Sequence, residues 1–155
     1  MLSDLYCEKF TLICRIPTAP ENNRVRLFIK HVLTGCAKHD GIYDRTTGTV
    51  FRGDNTFTVH TRDWRRYRAP AWAEGGYYAL SDSEKAGLYT VSRGDLLIFG
   101  EIAEDAPKDI DEFDALAEKY ALIGGTVSEA AACIAYRDAQ KRIPWRTNHI
   151  KIIKG

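Results

Sequence analysis

The segment from Tyr89 to Ile102, YTVSRGDLLIFGEI, constrains the fold of this chain more than any other. A short β-branched run at 89–91 leads into Ser92-Arg93-Gly94-Asp95, and four consecutive apolar residues follow at 96–99. Glycine adopts positive φ without steric cost, so a Gly-Asp pair between two apolar runs predicts a β-hairpin. An unbroken apolar run is typical of a strand covered on both faces, so residues 96–99 are predicted to be a core strand.

Further strands are predicted where apolar and polar residues alternate. These segments are 10–16, 25–33, 56–60 and 149–154. Phe57 and Val59 are expected on the buried face of their strand, and Ile150 and Ile152 share one face of the last strand.

A second hairpin is predicted between a brief strand at 49–51 and the strand at 56–60, with the turn at Gly53-Asp54. The connecting regions are rich in glycine and polar residues, which favour turns and loops. Polar loops are predicted at 35–48, with the short run Ile42-Tyr43 in it, and at 75–76 and 81–85.

The clearest helix pattern spans residues 109–121. Asp109 is a favourable N-cap, and Glu112 stands at the third helical position, as in a capping box. Five apolar residues at spacings of three and four predict one buried stripe: Ile110, Phe113, Leu116, Ala117 and Tyr120. Residues 126–138 suit either structure, because their alanines favour helix while the alternation of apolar residues favours strand.

These patterns predict a mostly β (α+β) fold: a small antiparallel β-barrel or sandwich with one amphipathic helix, in a single domain spanning 1–155. The chain is 45% hydrophobic and 28% charged, as in globular proteins, and its net charge of +1 excludes a uniformly basic polyelectrolyte binder. Its apolar runs are too short to span a membrane. The first residues lack the pattern of a signal peptide, so we expect a cytoplasmic site of synthesis.

The cysteines show no paired spacing. Cys7, Cys14, Cys36 and Cys133 contain no CxxC motif and are predicted to be free, buried thiols. A zinc site drawn from His31, Cys36, His39 and Asp40 matches no common spacing. We therefore expect neither a metal nor another cofactor.

No catalytic signature stands out, and we expect a protein that is not an enzyme. Paired carboxylates in the acidic segment are typical of a solvated helix face. A hydrolase would instead bring His60 into one pocket with Glu101, Glu104 or Asp105. The tripeptide Arg-Gly-Asp occurs at 52–54 and 93–95, where we interpret it as turn chemistry.

The most unusual segment is 62–72, RDWRRYRAPAW, which we call the arginine–aromatic loop. Four arginines against one aspartate give it a local charge of +3. Arginines interleaved with aromatics suit a protein interface, a surface for single-stranded nucleic acid, or a loop whose aromatics anchor it to the core. The candidate interface residues are Arg62, Trp64, Arg65, Arg66, Tyr67, Arg68 and Trp72.

Charge is unevenly distributed elsewhere too. Residues 101–118 carry a net charge of −7 and residues 137–154 one of +5. Patches of opposite sign favour head-to-tail contacts between copies, which close into rings when the rotation permits. Pairing of the acidic and basic segments within one subunit is the alternative, and the sequence does not decide between them.

The order of several short motifs resembles a known family. They are the strand TFTVH, the segment GDLLIFGEI, an acidic helix ending in Lys119-Tyr120, then IAYRDA and HIKIIKG. Across residues 56–155 this resembles small structural proteins from the head–tail gene blocks of tailed bacteriophages and prophages, of the head–tail connector group. The match is weakest at 124–132, and Ala135 to Asp138 stand where that family has an aspartate–asparagine turn.

The resemblance implies a small antiparallel barrel or sandwich with one helix, and it favours strand for 133–136. It implies a ring subunit at the joint between portal and tail, with other head–tail proteins and its own copies as partners. The location implied is the virion and the cytoplasm of a bacterial host. The alternative is a small β-barrel that binds single-stranded nucleic acid through the arginine–aromatic loop, with affinity that falls steeply as salt rises.

Overall fold

The computed structural model describes residues 8–17, 25–40, 42–44, 49–51, 57–133 and 149–154, which we call the described residues. The elements in chain order are β1 (Glu8–Pro17), β2 (Val25–Asp40), β3 (Ile42–Asp44), β4 (Thr49–Phe51), β5 (Phe57–Thr61), a 3-10 turn (Tyr77–Ala79), α1 (Asp82–Gly87), β6 (Leu96–Phe99), α2 (Ile110–Lys119), β7 (Gly124–Cys133) and β8 (His149–Lys154). Neither helix is both long and apolar enough to cross a membrane.

Six strands close into a barrel in the order β1-β2-β5-β8-β7-β6, and every neighbouring pair is antiparallel. This confirms the predicted mostly β fold with one longer helix and resolves the choice between barrel and sandwich in favour of a barrel. Closure gives each of the six strands a hydrogen-bonded neighbour on both sides. A separate two-stranded sheet joins β3 to β4.

The predicted core strand is confirmed. Leu97 on β6 points into the barrel interior, whereas Leu96 and Ile98 point outward into a second apolar cluster under α2. All three side chains are fully buried. β1 is covered on both faces in the same way, since Leu12 lies in the interior and Ile13 lies in the cluster under α2.

Helix α2 begins as predicted. The side chain of its N-cap, Asp109, accepts a hydrogen bond from the Glu112 amide at 2.8 Å, and the Glu112 carboxylate accepts one from the Lys108 amide at 2.8 Å. Phe113 is buried and stacks on Phe28 with ring centroids 5.1 Å apart, which fixes the helix to the outer face of β2. The predicted apolar stripe is wrong at Ile110, whose side chain is 44% exposed.

The predicted hairpin at 89–102 is wrong, although its turn exists. The Asp95 amide donates to the Ser92 carbonyl at 3.1 Å, and Gly94 has a φ of 93°. β6 pairs with β1 and β7, and Tyr89 makes only an isolated bridge to Tyr67. Closing the barrel uses both edges of β6, so no edge remains for residues 89–91.

The second predicted hairpin is also wrong. β4 pairs with β3, while β5 lies between β2 and β8 in the barrel. The predicted loop at 35–48 is wrong at its beginning, because β2 continues to Asp40. Gly35, with a φ of 60°, lies in the register shift of the β1–β2 ladder, beside Cys36, where β2 pairs with Glu8 of β1 and begins to pair with β5. A bulge of this kind bends one long strand so that it serves two partners.

The predicted loop at 81–85 is wrong as well, because helix α1 occupies it. The Ser81 hydroxyl accepts from the Glu84 amide at 3.3 Å and donates to the Glu84 carboxylate at 2.9 Å. This is a local capping signal, Ser-x-x-Glu, in the sequence. The first part of the ambiguous segment is strand, since β7 pairs with β6 and β8; residues 134–138 lie outside the described residues.

Candidate interaction surface on the arginine–aromatic loop

Backbone hydrogen bonds attach the arginine–aromatic loop to the segment that precedes β6. The Tyr89 amide donates to the Arg66 carbonyl at 2.9 Å, and the Arg68 amide donates to the Tyr89 carbonyl at 2.9 Å. Farther along, the Tyr77 amide donates to the Ala69 carbonyl at 2.8 Å. The loop is therefore held in place at several points along its length.

The aromatic side chains of the loop anchor it to the core. Trp64, Tyr67 and Trp72 are each partly buried and pack against the main apolar cluster. The rings of Tyr67 and Tyr89 meet edge to face at 5.8 Å, and those of Trp72 and Tyr78 lie 5.5 Å apart. These three aromatic residues therefore anchor the loop to the core, as one of the interpretations of the sequence predicted. Each also keeps some exposed surface.

Arg66 serves the structure of the loop. Its Nε donates to the Asp63 carboxylate at 2.9 and 3.0 Å, and its Nη2 donates to the Val32 carbonyl at 2.9 Å. The hydrogen bonds that Arg66 donates to Asp63 raise the pKa of Arg66. Its guanidinium also lies 5.7 Å from the centre of the Tyr89 ring. Asp63 stands three residues before Arg66 in the sequence, and the turn closed by the Tyr67 amide on the Trp64 carbonyl lies between them.

The other three arginines of the loop are exposed: Arg62, Arg65 and Arg68. The Arg65 guanidinium lies 5.3 Å from the centre of the Trp64 ring. Arg68 donates to the carbonyls of Arg65 and Tyr67 at 3.0 and 2.8 Å, which holds its side chain along the loop. The loop thus presents a row of cations beside partly exposed aromatic rings.

A buried hydrogen-bond chain lies beneath the loop. The Tyr77 hydroxyl donates to the Lys85 carbonyl at 2.8 Å, and His31 Nε2 lies 2.9 Å from the same hydroxyl oxygen. Because the hydroxyl has one proton, the Nε2–H of His31 must donate to it. Burial, and next the charge of Arg66, lower the pKa of His31 to about 4, so this ring is neutral near pH 7.

Mild acid is expected to destabilise the protein through His31. The unfolded chain binds a proton there near pH 6.5, but the folded chain does so only near pH 4. The contribution of His31 to the free energy of unfolding therefore falls as pH decreases through this window, by about 1–2 kcal/mol near pH 5. Melting curves of the protein and of His31→Gln between these pH values check this.

The His31→Gln variant separates the effect of His31 on stability from the effects of the other titrating groups. Glutamine at position 31 keeps a donor for Tyr77 but does not titrate, so the melting temperature of this variant should lack the decrease in acid that His31 causes. Asp95 acts in the opposite direction, because burial raises its pKa to about 7 and its contribution is lost as pH rises toward 7. Both proteins contain Asp95, so their difference reports on His31. Equal pH dependence in the two would contradict the assignment.

The acidic segment lines a shallow groove of about 250 Å³ between α2 and the chain before it. There Glu104 accepts from the Tyr120 hydroxyl at 2.7 Å and pairs with Lys119 at 3.0 Å, and these contacts lower the pKa of Glu104. Asp105 also lines the groove, but His60 does not. The cluster expected of a hydrolase is therefore absent from this groove.

Two of the cysteines are described in full. Cys14 and Cys36 are free and buried, and burial raises the pKa of the Cys36 thiol to about 11 and that of Cys14 well above its usual range. Neither is therefore a thiolate near neutral pH. Cys7 and the side chain of Cys133 lie outside the described residues. Within the described part of the chain, no three His, Cys, Asp or Glu residues are arranged to hold a metal ion.

The second Arg-Gly-Asp tripeptide is part of a turn. Asp95 is 1% exposed, and its carboxylate accepts from the amides of Arg15 and Ser92 at 3.0 and 2.9 Å. A buried aspartate cannot serve an adhesion partner. The first tripeptide, at 52–54, lies outside the described residues.

Comparison of the chain with protein-family models, with curated proteins and with solved structures finds no match. The function proposed below therefore rests on the sequence and on the geometry of the arginine–aromatic loop.

Proposed function

We propose that this chain is a non-enzymatic structural protein of a tailed bacteriophage or prophage, a head–tail connector ring subunit that binds its partners through the arginine–aromatic loop. The observation that carries the proposal is the row of exposed arginines on a loop whose backbone and aromatic side chains are already held in place. A preorganised loop loses little conformational entropy when it binds. Arginine and partly exposed tryptophan or tyrosine are the residues that dominate protein interfaces.

The resemblance of the chain to head–tail structural proteins supports the phage context and the ring. The closed barrel is compatible with the fold which that resemblance implies. Partners are expected among other head–tail proteins, with copies of the chain itself as neighbours in the ring.

Binding of single-stranded nucleic acid is the competing proposal. The exposed arginines would suit its phosphates, but bases stack on open aromatic faces. Here Trp64, Tyr67 and Trp72 pack partly against the core, which leaves less ring surface for bases. Protein contacts are therefore favoured.

The test compares two arginines that undergo the same charge change. Arg65→Glu reverses an exposed charge on the arginine–aromatic loop, whereas Arg93→Glu reverses an exposed charge in the turn before β6. Both variants should melt like the parent, because neither arginine is buried. Arg65→Glu is expected to weaken binding to head–tail proteins encoded by neighbouring genes about tenfold or more, and Arg93→Glu is expected not to.

Sedimentation of the protein with each candidate partner, at low and moderate salt, measures this. Unchanged binding by Arg65→Glu would overturn the proposal. Salt-sensitive binding of single-stranded oligonucleotides, lost in Arg65→Glu and without any protein partner, would establish the competing function instead.

A further inference from the structure

Helix α2 carries a stripe of exposed carboxylates on the side opposite the barrel. Phe113 and Leu116 face the barrel and are buried, whereas the acidic stripe consists of Asp111, Asp114 and Glu118. These three residues follow each other at spacings of three and four, so they lie along one face over about 10 Å of helix. All three side chains are exposed.

The acidic stripe is not neutralised by cations in the described part of the chain. The ion pairs there join Lys9 to Glu101, Arg66 to Asp63 and Lys119 to Glu104, and none includes a stripe residue. Like charges three and four residues apart destabilise a helix, so the stripe costs stability in the isolated subunit. A bound cationic surface would remove that cost.

An apolar tip stands directly beyond the end of the same helix. Leu122 is 89% exposed and Ile123 is 41% exposed. Among the described residues, the exposed large hydrophobic side chains are these two and Ile110, which is the first residue of α2. The backbone of the tip is ordered, because the Ile123 amide donates to the Tyr120 carbonyl at 3.1 Å and its carbonyl accepts from the Phe99 amide at 2.9 Å.

The arginine–aromatic loop is complementary to this surface. It presents the exposed Arg65 and Arg68 where the stripe presents carboxylates, and its partly exposed aromatic rings offer apolar contact for Leu122. The loop precedes β6 and the helix follows it, and no hydrogen bond or ion pair between described residues joins the two. Within the described part of the chain, neither surface covers the other.

We infer that the acidic stripe and the apolar tip of one copy dock head to tail on the arginine–aromatic loop of a second copy of this chain. The inference rests on the proposed function and names the surface that the loop binds. Stripe and arginines set the orientation, and Leu122 provides the buried apolar contact. Because the two surfaces differ, the contact is heterologous and leaves one free surface at each end of a dimer.

The experiment uses two complementary variants of the full chain. The first, Arg65→Glu, has a defective loop and an intact helix surface. The second, Asp114→Arg with Leu122→Ser, has a defective helix surface and an intact loop. Sedimentation velocity over a series of concentrations up to about 1 mM is measured for the parent, for each variant and for their equimolar mixture.

The parent is expected to self-associate weakly and without a fixed end point. Each variant alone should have a dissociation constant about tenfold or more above that of the parent, whereas the mixture should form one-to-one dimers and stop there. Glu129→Arg, at an exposed acid on β7, is the charge-matched control and should associate like the parent. Melting temperatures of Arg65→Glu and Glu129→Arg should match the parent, and that of the helix variant should not fall below it, since every altered side chain is exposed.

The outcomes separate the inference from the proposed function. If Arg65→Glu loses association and the helix variant keeps it, the acidic stripe is not the counter-surface, although the loop remains an interface. If the mixture fails to form dimers, the contact is not head to tail. A parent that stays monomeric at the highest concentration overturns the inference, while binding of Arg65→Glu to other head–tail proteins still tests the function independently.

Discussion

Replacement of Leu97 by alanine is expected to lower the free energy of unfolding by about 3–5 kcal/mol. The side chain is fully buried in the barrel interior, on a strand paired on both sides by β1 and β7. Shortening it removes apolar contacts and leaves a cavity that a closed barrel cannot easily collapse around, because the ladders on either side hold the backbone. Urea denaturation followed by tryptophan fluorescence measures the change.

Leu122→Ala is the matched control for this prediction. It removes the same atoms from a side chain that is 89% exposed, so stability should change by less than about 0.5 kcal/mol. A Leu97→Ala protein that unfolds at the same urea concentration as Leu122→Ala would show that β6 is not a core strand.

Arg66→Ala is expected to destabilise the protein by about 2 kcal/mol, whereas Arg65→Ala should have almost no effect. Removal of Arg66 leaves the carboxylate of Asp63, whose side chain is 12% exposed, without its ion pair, and leaves the Val32 carbonyl without this donor. The value lies below that of a fully buried pair because the Arg66 side chain is itself 37% exposed.

Thermal and urea unfolding of these two variants check the difference between neighbouring arginines. Arg66→Lys adds a second comparison, since lysine keeps the charge but cannot make the two-point contact with Asp63. Equal stability of the Arg65 and Arg66 variants would mean that the ion pair contributes nothing, and the loop would then be held by its backbone and aromatic contacts alone.

The strands of the barrel were predictable where a local pattern reflects burial. Alternation placed Phe57 and Val59 on the buried face of β5, and Ile150 and Ile152 on that of β8, and all four lie in the interior. Such patterns arise because every second side chain of a strand faces the core, so no knowledge of the partner strand is needed.

Pairing was less predictable than the strands themselves. Both hairpin predictions assumed that strands close in sequence pair with each other, yet β6 pairs with β1, and β5 pairs with β8. Which edges meet is decided by closure of the barrel, a property of all six strands together. The run at 89–91 instead places Tyr89 and Val91 in the interior, and Tyr89 helps to anchor the arginine–aromatic loop.

The sequence predicted the candidate surface as the segment 62–72 but did not predict which of its residues are exposed. Composition marked residues 62–72 but could not separate Arg66, which is tied to Asp63, from the exposed Arg65. That distinction depends on where the Val32 carbonyl and the Tyr89 ring lie, and both belong to segments distant in sequence. The apolar tip at Leu122 was missed because a single leucine after a helix resembles a core residue until its exposure is known.

The place of β8 in the barrel has a consequence for how the chain folds during synthesis. β8 is the last barrel strand in chain order, and it alone fills the gap between β5 and β7. Until residues 149–154 have left the ribosome, both of those strands present an unpaired edge on which another nascent chain can add a strand. Pairing of β8 therefore completes the barrel, and until it occurs the chain can aggregate through the open edges of β5 and β7.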